Sequence, residues 1–547
     1  MKRFIETYSG KTYDVIVIGG GITGAAVAYD AASRGLSVAL VEKQDFGCAT
    51  SSATSKLIHG GFRYLANLEF GIVRESLRER RTLENIAPNL VYPIPVLIPC
   101  YKTGMTKYTY LIKLGMLLYD FLSYDKGRTW DKSKEIGFHQ TISRQKALEL
   151  EPLIPENGLK GVFVYHDCAS LFPERLTLAF VKSAVKHGAD VSNYSKVEGF
   201  IFSDSHKKEI LGVNVQDLIN NQDVELRGKL TINCGGPWAD LILGMTKGST
   251  SAKRIRRSEG IHIITRKLVN NNMVAMITSS GRGFFMIPWR GHTLIGTTDK
   301  EYMGNPDEFK VTKQAILELL ETVNGALREK VQIKYEDILY TYGGLRPLVE
   351  SQTEEVYKSS RKYEIYDNAR DRLEGLITVE GGKYTTSRNL AEGVMKMVAN
   401  KLKKNLGKCI TDNQYLVGCE IKDIENFIDE LKSENKDFNE KTVECLGRYY
   451  GSECSQVLEL ARQDRSLAEP LNDDGEIIAQ VLYAIRQEMA LTLKDILVRR
   501  TGIGTLGNPG YEDIVRIANM TAKELNWDSV REQREINEVR EHFMLPV

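Results

Sequence analysis

No C-x-x-C pair occurs in this chain. Its eight cysteines (48, 100, 168, 234, 409, 419, 445 and 454) are scattered over 547 residues. That excludes zinc-ribbon and iron–sulfur ligand sets of the usual spacing, and no metal site is expected. A disulfide framework is not expected in so long a chain with so few thiols. Nor does any run approach the roughly 20 apolar residues of a membrane-spanning helix. The opening MKRFIETYSGKTYDV lacks the apolar core of a signal peptide and carries Glu6. Together these point to a reducing, cytoplasmic compartment. Charge of one sign is also missing: 73 Lys plus Arg stand against 72 Asp plus Glu, a net charge of +1. Such a balance supplies no bulk field for nucleic acid, and no nucleic-acid partner is expected. What is present is an ordinary globular composition, 42% hydrophobic and 27% charged. The length suggests two to four domains at roughly 150 residues each.

Residues 13–18 (YDVIVI) are short and β-branched, as in a buried parallel strand. Gly19-x-Gly21-x-x-Gly24 follows at once, with Ile22 and Thr23 inside it. An Ala-rich helix then runs to Arg34 and is closed by Gly35. Residues 37–42 read as a second strand ending on Glu42. This is a β-α-β unit in the context that a dinucleotide fingerprint requires. The first glycine allows the tight turn, the second lets backbone approach a pyrophosphate, and the third lets helix and strand pack. The helix N-terminus offers free N–H groups to phosphate. Glu42, with Lys43 beside it, is placed to accept ribose hydroxyls.

Two later glycine turns repeat the strand-to-glycine pattern. One is TINCGGPW, containing Gly235 and Trp238. The other is TVEGGK, containing Gly382 and Lys383, just before a helix that starts at Thr385 and Thr386. Three such turns spread over the chain suit FAD, a long cofactor in an interrupted fold, better than NAD. The Ser/Thr-rich loop after Glu42 supplies Thr50, Ser51, Ser52, Ser55 and Lys56 for the pyrophosphate or ring edge; a solvated loop is the alternative. Val197 is expected to give backbone hydrogen bonds to the adenine. Residues 91–99 are broken by Pro93, Pro95 and Pro99, so an edge or irregular strand is expected. Residues 68–87, 176–188 and 310–328 read as helix, and 209–217, 224–233, 260–266, 283–288 and 293–298 as strand. Beyond about residue 395 glycine thins and charged amphipathic patterns take over.

The fold class expected is α/β (α+β overall): an interrupted Rossmann-like FAD-binding domain, a mixed-sheet substrate domain and a C-terminal helical domain. The oxidoreductase region is placed at 10–395. Its FAD-binding parts are about 10–85, 160–250 and 340–395, and its substrate part is about 90–155 and 255–340. The helical domain is placed at 400–547, as an active-site cover or a dimer contact.

Four segments are familiar together: Cys48–Leu65 (CATSSATSKLIHGGFRYL), Ile295–Asp299 (IGTTD), Tyr342–Leu348 (YGGLRPL) and Gly381–Arg388 (GGKYTTSR). In order and spacing the chain closely resembles the FAD-dependent, quinone-linked aerobic-type glycerol-3-phosphate dehydrogenases. Phe62 and Ser387 stand where that family often has Leu and Tyr. The resemblance implies oxidation of sn-glycerol 3-phosphate to dihydroxyacetone phosphate, with hydride passing from C2 to the flavin and electrons going on to a membrane quinone. It also implies a peripheral position on the cytoplasmic membrane and places Leu57 against the flavin. A homodimer is a further expectation.

By the same resemblance Arg63, Tyr64, Arg346 and Lys383 face the substrate. Arginine is suited to a phosphate because its planar donors bind several oxygens at once; structural ion pairing of Arg63 and Arg346 is the alternative. His262, in the alternating segment GIHII, is expected as the base that takes the hydroxyl proton, with Arg346 and Lys383 completing the catalytic set. A core histidine with a satisfied ring is the other reading. His59 is expected to shape the flavin loop. Residues Met105 to Tyr124 are apolar, tyrosine-rich and punctuated by Lys107 and Lys113, which suits a membrane interface or a half-buried helix. Arg499 and Arg500 are read as solvated charges, with phosphate contact as the alternative.

Three rivals are weighed. A glycerol-3-phosphate oxidase would share the site and hand electrons to oxygen, releasing hydrogen peroxide; oxidases of this type carry an internal insertion that is not evident here. An amine or amino-acid oxidase would recognise a carboxylate and would not need paired arginines beside Lys383. A non-enzymatic nucleotide-binding sensor would not need the later motifs.

Overall fold

The computed structural model describes residues 1–104, 106, 108–203, 209–246, 255–278, 283–328, 331–349 and 363–547. Two sheets organise the first part of the chain. In the first, an eight-stranded sheet, Leu376–Gly381, Gln222–Asn233, Thr12–Ile18, Val38–Val41 and Asp190–Ser192 lie side by side and parallel. Three of them are far apart in sequence, so the nucleotide fold is interrupted. The β-branched run of Thr12–Ile18 is buried at every position but the first, as suits a parallel strand covered on both faces. The helix Ile22–Ser33 covers one face with its alanines and packs on the helix Pro173–Lys186.

The second sheet has ten strands in mixed order. Near one end of it the strand Arg256–Thr265 pairs antiparallel with Ile338–Leu348 on one side and, over residues 262–265, with His292–Gly296 on the other. Side chains alternate between faces. Ile261 and Ile263 pack in one cluster with Ile316, Leu319, Leu320 and Val323 of the helix Lys313–Asn324. His262 therefore turns to the opposite face.

The proline-bearing segment is a correction. It forms the strand Val91–Tyr101, which lies inside the sheet between Met273–Ile277 and Leu159–Ser170. Pro93, Pro95 and Pro99 all sit at odd positions. Their missing N–H donors thus face one side, and the continuous pairing with Leu159–Ser170 runs on the other. On the proline side only Val96 and Leu97 are paired, between the prolines. Pairing on one side only at each proline is what lets three of them sit in an interior strand.

Beyond Ile424 the described chain is helical: Ile424–Glu434, Glu440–Tyr450, Cys454–Gln463, Ala479–Glu488, Tyr511–Leu525 and Ser529–Phe543, with a π-helical stretch at Asp495–Arg500. Arg499 and Arg500 are a second correction, because both are buried. Arg499 Nε donates to Asp45 Oδ2 at 2.7 Å, and Arg500 Nη1 and Nη2 donate to the two oxygens of Asp45, each at 2.7 Å. Asp45 is fully buried, three residues past Glu42. Arg175 reaches Glu488 at 2.8 Å and Arg290 reaches Glu476 at 2.7 Å across the same seam. The pattern of charges in a helix cannot show that its partners come from 450 residues away.

Removing one partner of a buried ion pair leaves the other charge unpaired and costs about 3–5 kcal/mol. Arg500→Ala is expected to lose stability of that order, read by urea unfolding. Burial alone would raise the carboxyls, but Arg500 and Arg499 pull Asp45 down to about 2, and Arg175 and Lys182 pull Glu488 down to about 2. Depressed carboxyl values stabilise the fold fully above the unfolded range of about 4 and lose that contribution as pH falls toward 2. A urea midpoint that falls between pH 5 and 3 in the parent and much less in Arg500→Ala is the expected result.

Candidate active site

One cavity of about 2440 Å³ runs between the two sheets. A single drug-sized ligand occupies roughly 300–1,000 Å³, so the space exceeds what one such molecule needs. At one end it is lined by Lys196 and Val197, then by Glu42 and Lys43, then by Gly19, Gly21, Ile22 and Thr23. Gly235 and Trp238 line it too, as do Thr50, Ser51, Ser55 and Leu57. At the other end stand Arg63, Tyr64, His262, Arg346, Gly382, Lys383 and Thr385. No residue beyond Thr385 is among the lining, so the helical part lies behind the cavity and does not cover it.

The cradle is built as the glycine spacing requires. Gly19 has φ +103°, and a Cβ there would lie 2.6 Å from Cys234 O. A Cβ on Gly24 would meet Gly19 O at 1.8 Å; this glycine lets helix and strand touch and stands back from the cavity. Ser51 Oγ accepts from the N–H of Ile22 at 2.9 Å, at the helix N-terminus. Glu42 accepts from Gly20 N at 2.7 Å and Gln44 N at 2.8 Å. Burial raises its carboxyl against those donors. Lys43 lies 4.5 Å from the centre of the Trp238 ring, and Trp238 Nε1 donates to Asp307 at 2.8 Å.

Three more expected cofactor contacts stand back. Ser52 bonds its own helical turn at Cys48 O and Ala49 O. Lys56 is buried and aimed away, 3.4 Å from Glu174 and over the rings of Trp289 and Tyr342. Thr386 is buried at the start of the helix Ser387–Leu402.

At the far end the sheet register assembles the chemistry. His262 lies opposite Tyr342, and Ser258 opposite Arg346. The His262 ring stacks on Tyr342 with centroids 4.9 Å apart, and its Nε2 is 2.9 Å from Ser55 Oγ. Nδ1 is buried with no hydrogen-bond partner among the described residues. Burial, with Arg346 and Lys56 adding to it, holds the imidazolium well below its usual range, so the ring is neutral. Arg346 donates to Thr297 Oγ1 at 2.6 Å, Thr298 O at 3.1 Å and Ser258 Oγ at 3.3 Å, with Asp299 at 3.6 Å. Lys383 Nζ donates to Ser76 Oγ at 2.7 Å and sits 4.4 Å from the centre of the Tyr64 ring, which Arg63 approaches at 5.5 Å.

Comparison with known proteins fits this geometry. Residues 14–387 match the family described as FAD dependent oxidoreductase, and residues 409–532 match the C-terminal domain of alpha-glycerophosphate oxidase. A glycerol-3-phosphate dehydrogenase of Synechocystis is 33% identical over 99% of this chain and 98% of its own. The chain belongs to the FAD-dependent glycerol-3-phosphate dehydrogenase family. An aerobic glycerol-3-phosphate dehydrogenase of Bacillus subtilis is 34% identical over 91% of this chain and 89% of its own. The crystal structure of the Bacillus halodurans glycerol-3-phosphate dehydrogenase complexed with FAD superimposes with a TM-score of 0.80, at 28% identity over 98% of this chain and 96% of that one. FAD is the cofactor of this family, and the cavity fits it: Gly19, Gly21 and the N-terminus of the helix Ile22–Ser33 line it, together with Glu42 and His262.

Some contacts of this dehydrogenase site escape a reading of the sequence, although Ser55 itself is expected there as a cofactor contact. Ser55 is paired with His262, Thr297 holds Arg346, and Asp167 stands at the cavity wall. Asp167 is the one carboxylate of the strand Leu159–Ser170, which also carries Lys160 and His166.

A Cβ on Gly260 would lie 1.9 Å from Arg346 Nη2, the movable end of a flexible side chain. Gly260→Ala should therefore displace the guanidinium without unfolding the sheet. The expected outcome is a KM for the anionic substrate raised about tenfold or more, equivalent to about 1.4 kcal/mol, with flavin content unchanged in the visible spectrum.

Proposed function

We propose that the chain oxidises sn-glycerol 3-phosphate to dihydroxyacetone phosphate and passes the electrons to a membrane quinone. The observation that carries this reading is the gathering of Arg63, Arg346 and Lys383 with a neutral His262 around one end of a cavity that holds a dinucleotide cradle at its middle. A phosphate dianion needs several cationic donors. A secondary alcohol beside it needs a group that accepts the hydroxyl proton.

In this reading the dinucleotide half is held by Gly19, Gly21–Thr23, Glu42, Lys43 and Val197, and the ring end by Ser55, Leu57, Gly382 and Thr385. FAD, when bound, takes up the two electrons and the hydrogen that leave C2 of the substrate. The chain's own work is binding, orientation and proton transfer. Arg63 and Lys383, which share the Tyr64 ring, bind the phosphate. Arg346, fixed by Thr297 and Thr298, also binds the substrate and stabilises charge as it develops on the C2 oxygen. His262 accepts the hydroxyl proton at Nε2, the nitrogen already hydrogen-bonded to Ser55.

The quinone assignment rests on an apolar part of the cavity wall, to which Ile98, Leu111, Leu114, Leu118, Met273 and Phe285 belong. The helix Thr109–Leu122 exposes Tyr110, Leu111, Leu114, Leu117 and Phe121 on its outer side. Met105 and Lys107, part of the same amphipathic stretch, lie outside the described residues. Among the described residues no helix is long and apolar enough to cross a membrane. Apolar cavity lining that continues through Leu111 and Leu114 into an exposed apolar helix face supports a hydrophobic acceptor drawn from a bilayer surface on which the protein sits.

The purified yellow protein should bleach anaerobically with glycerol 3-phosphate and not with proline or sarcosine. Failure to bleach would end the reading. Reoxidation by a quinone analogue at least about tenfold faster than by air-saturated buffer, a difference of about 1.4 kcal/mol in barrier, separates dehydrogenase from oxidase; the reverse ratio would make it an oxidase. His262→Asn should slow bleaching by about 100-fold or more at saturating substrate. In the parent the bleaching rate should pass through pH 6.5 without a break, because the ring is already neutral well below that value. A titration centred near 6.5 that vanishes in His262→Asn would show that the ring is not held in this buried state.

A further inference from the structure

His262 borders the cavity, yet it is only 1% exposed. Tyr342 stacks on its ring, with the planes 17° apart. Gly296 backs the Cδ2–Nε2 edge: a Cβ there would lie 2.3 Å from Cδ2 and 3.0 Å from Nε2. Nδ1 is buried without a hydrogen-bond partner among the described residues. The polar approach to Nε2 is taken by Ser55 Oγ, 2.9 Å away. Ser55 is half-buried and itself lines the cavity. A substrate hydroxyl arriving from the cavity therefore meets Ser55 before it meets the ring nitrogen.

The backbone holds Ser55 there from both sides. Thr54, before it, accepts at its carbonyl from the hydroxyl of Tyr342 at 2.8 Å. Lys56, after it, donates its N–H to Thr54 Oγ1 at 3.1 Å, and its carbonyl accepts from Ser170 N at 2.8 Å. The Lys56 ammonium lies 3.4 Å from Glu174. Tyr342 thus fixes both partners at once. Its ring holds the imidazole, and its hydroxyl holds the backbone that carries Ser55. The separation kept in this way lies within the reach of about 2.6–3.2 Å over which side chains pass protons. A serine hydroxyl has one donor and two acceptor sites. With its hydrogen directed to Nε2, it keeps lone pairs for a second donor on the cavity side.

We propose that Ser55 is a catalytic residue: it relays the proton of the substrate's C2 hydroxyl to His262. The proposal rests on the reading of glycerol 3-phosphate as substrate and of His262 as the base. The substrate hydroxyl donates to Ser55 Oγ while Ser55 donates to Nε2. As hydride departs from C2, the substrate O–H bond breaks and its electron pair forms the second carbon–oxygen bond of the ketone. The released proton bonds to Ser55 Oγ, and in the same step the original Ser55 proton bonds to Nε2. The serine ends as it began, and the imidazole holds one more proton. The two electrons lost by carbon leave with the hydride to the flavin.

The test begins with the parent protein. Glycerol 3-phosphate deuterated at C2 makes the breaking of that bond limit anaerobic bleaching, which is followed in mixtures of light and heavy water. Two protons moving in one step curve the plot of rate against deuterium fraction; one proton gives a straight line. A curved plot is expected. In flavin-loaded Ser55→Ala the bleaching rate per bound flavin at saturating substrate should fall about 100-fold. Ser55→Thr, which keeps a hydroxyl, should stay within about tenfold of the parent. In a His262→Asn background Ser55→Ala should cost less than about twofold more, because a relay without its acceptor has nothing to deliver. A readout apart from turnover is nitrogen NMR of the histidine-labelled resting protein, with the His262 signals identified by their loss in His262→Asn. Nε2 should be unprotonated and should move downfield in Ser55→Ala as it loses its donor. The parental plot and the parental NMR signal carry the test alone if Ser55→Ala does not retain flavin. A straight plot, a protonated Nε2, a parental rate in Ser55→Ala or equal losses in both backgrounds would overturn the relay. If glycerol 3-phosphate did not bleach the parent, or His262→Asn bleached at the parental rate, the underlying reading would fall instead.

Discussion

The antiparallel register between Arg256–Thr265 and Ile338–Leu348 is the constraint on which the site depends. It sets His262 across from Tyr342 and Ser258 across from Arg346. The spacing of four along both strands keeps the histidine and the arginine on one face. A slip of one residue would send the chemistry to the other face of the sheet and bring the isoleucines to the cavity. That slip is opposed by the core: Ile261 and Ile263 are buried against the helix Lys313–Asn324. Hydrophobic packing on one face thus fixes the polar geometry on the other. The glycines of the motif complete it, since Gly260 leaves room for Arg346 and Gly296 for the His262 ring.

The helical part of the chain bears on the same site from behind. It lines none of the cavity, yet Arg499 and Arg500 close on Asp45, at the start of the loop whose Thr50, Ser51 and Ser55 do line it. His542 Nε2 lies 2.8 Å from the hydroxyl of Tyr340, two residues before the tyrosine that stacks on His262. Burying ions is expensive unless each finds its partner, and here the partners lie on opposite sides of the seam. Parting the two regions would leave several charges unpaired at once, so the cofactor loop and the catalytic strand are held by an interface that neither substrate nor cofactor touches.

What could be read from the sequence was what local chemistry determines. A β-branched strand, three glycines and an alanine-rich helix state the nucleotide cradle, because each residue's role there is set by its immediate neighbours. The face of His262 followed from simple alternation. The resemblance in four motifs brought Arg63, Arg346 and Lys383 to one place without showing what holds them. Reading failed where the deciding partner is remote. Arg499 and Arg500 look like surface charge until Asp45 is brought to them, and three prolines look like an edge until the pairing side is known. Ser55 was named for the cofactor from its loop; its hydrogen bond to His262 joins residues 207 apart and has no local signature. Lys56, in the same run, is turned away by a left-handed backbone, φ +54°, that spacing does not reveal.

The electrostatics of the catalytic end then form one connected argument. Burial is the larger cause that keeps His262 neutral, with Arg346 next. On the proposed reading these two causes respond differently to substrate. Burial persists when the cavity fills. The influence of Arg346 does not, because a dianion bound near the guanidinium offsets its charge at the ring. Proton affinity at Nε2 therefore rises as the phosphate arrives, when a proton acceptor is wanted. An empty site keeps a neutral ring instead of a buried cation facing Arg346 and Lys56. On this reading Arg346 and the histidine that takes the proton are coupled through the substrate's own charge, and the strand register that sets their separation also sets the strength of that coupling.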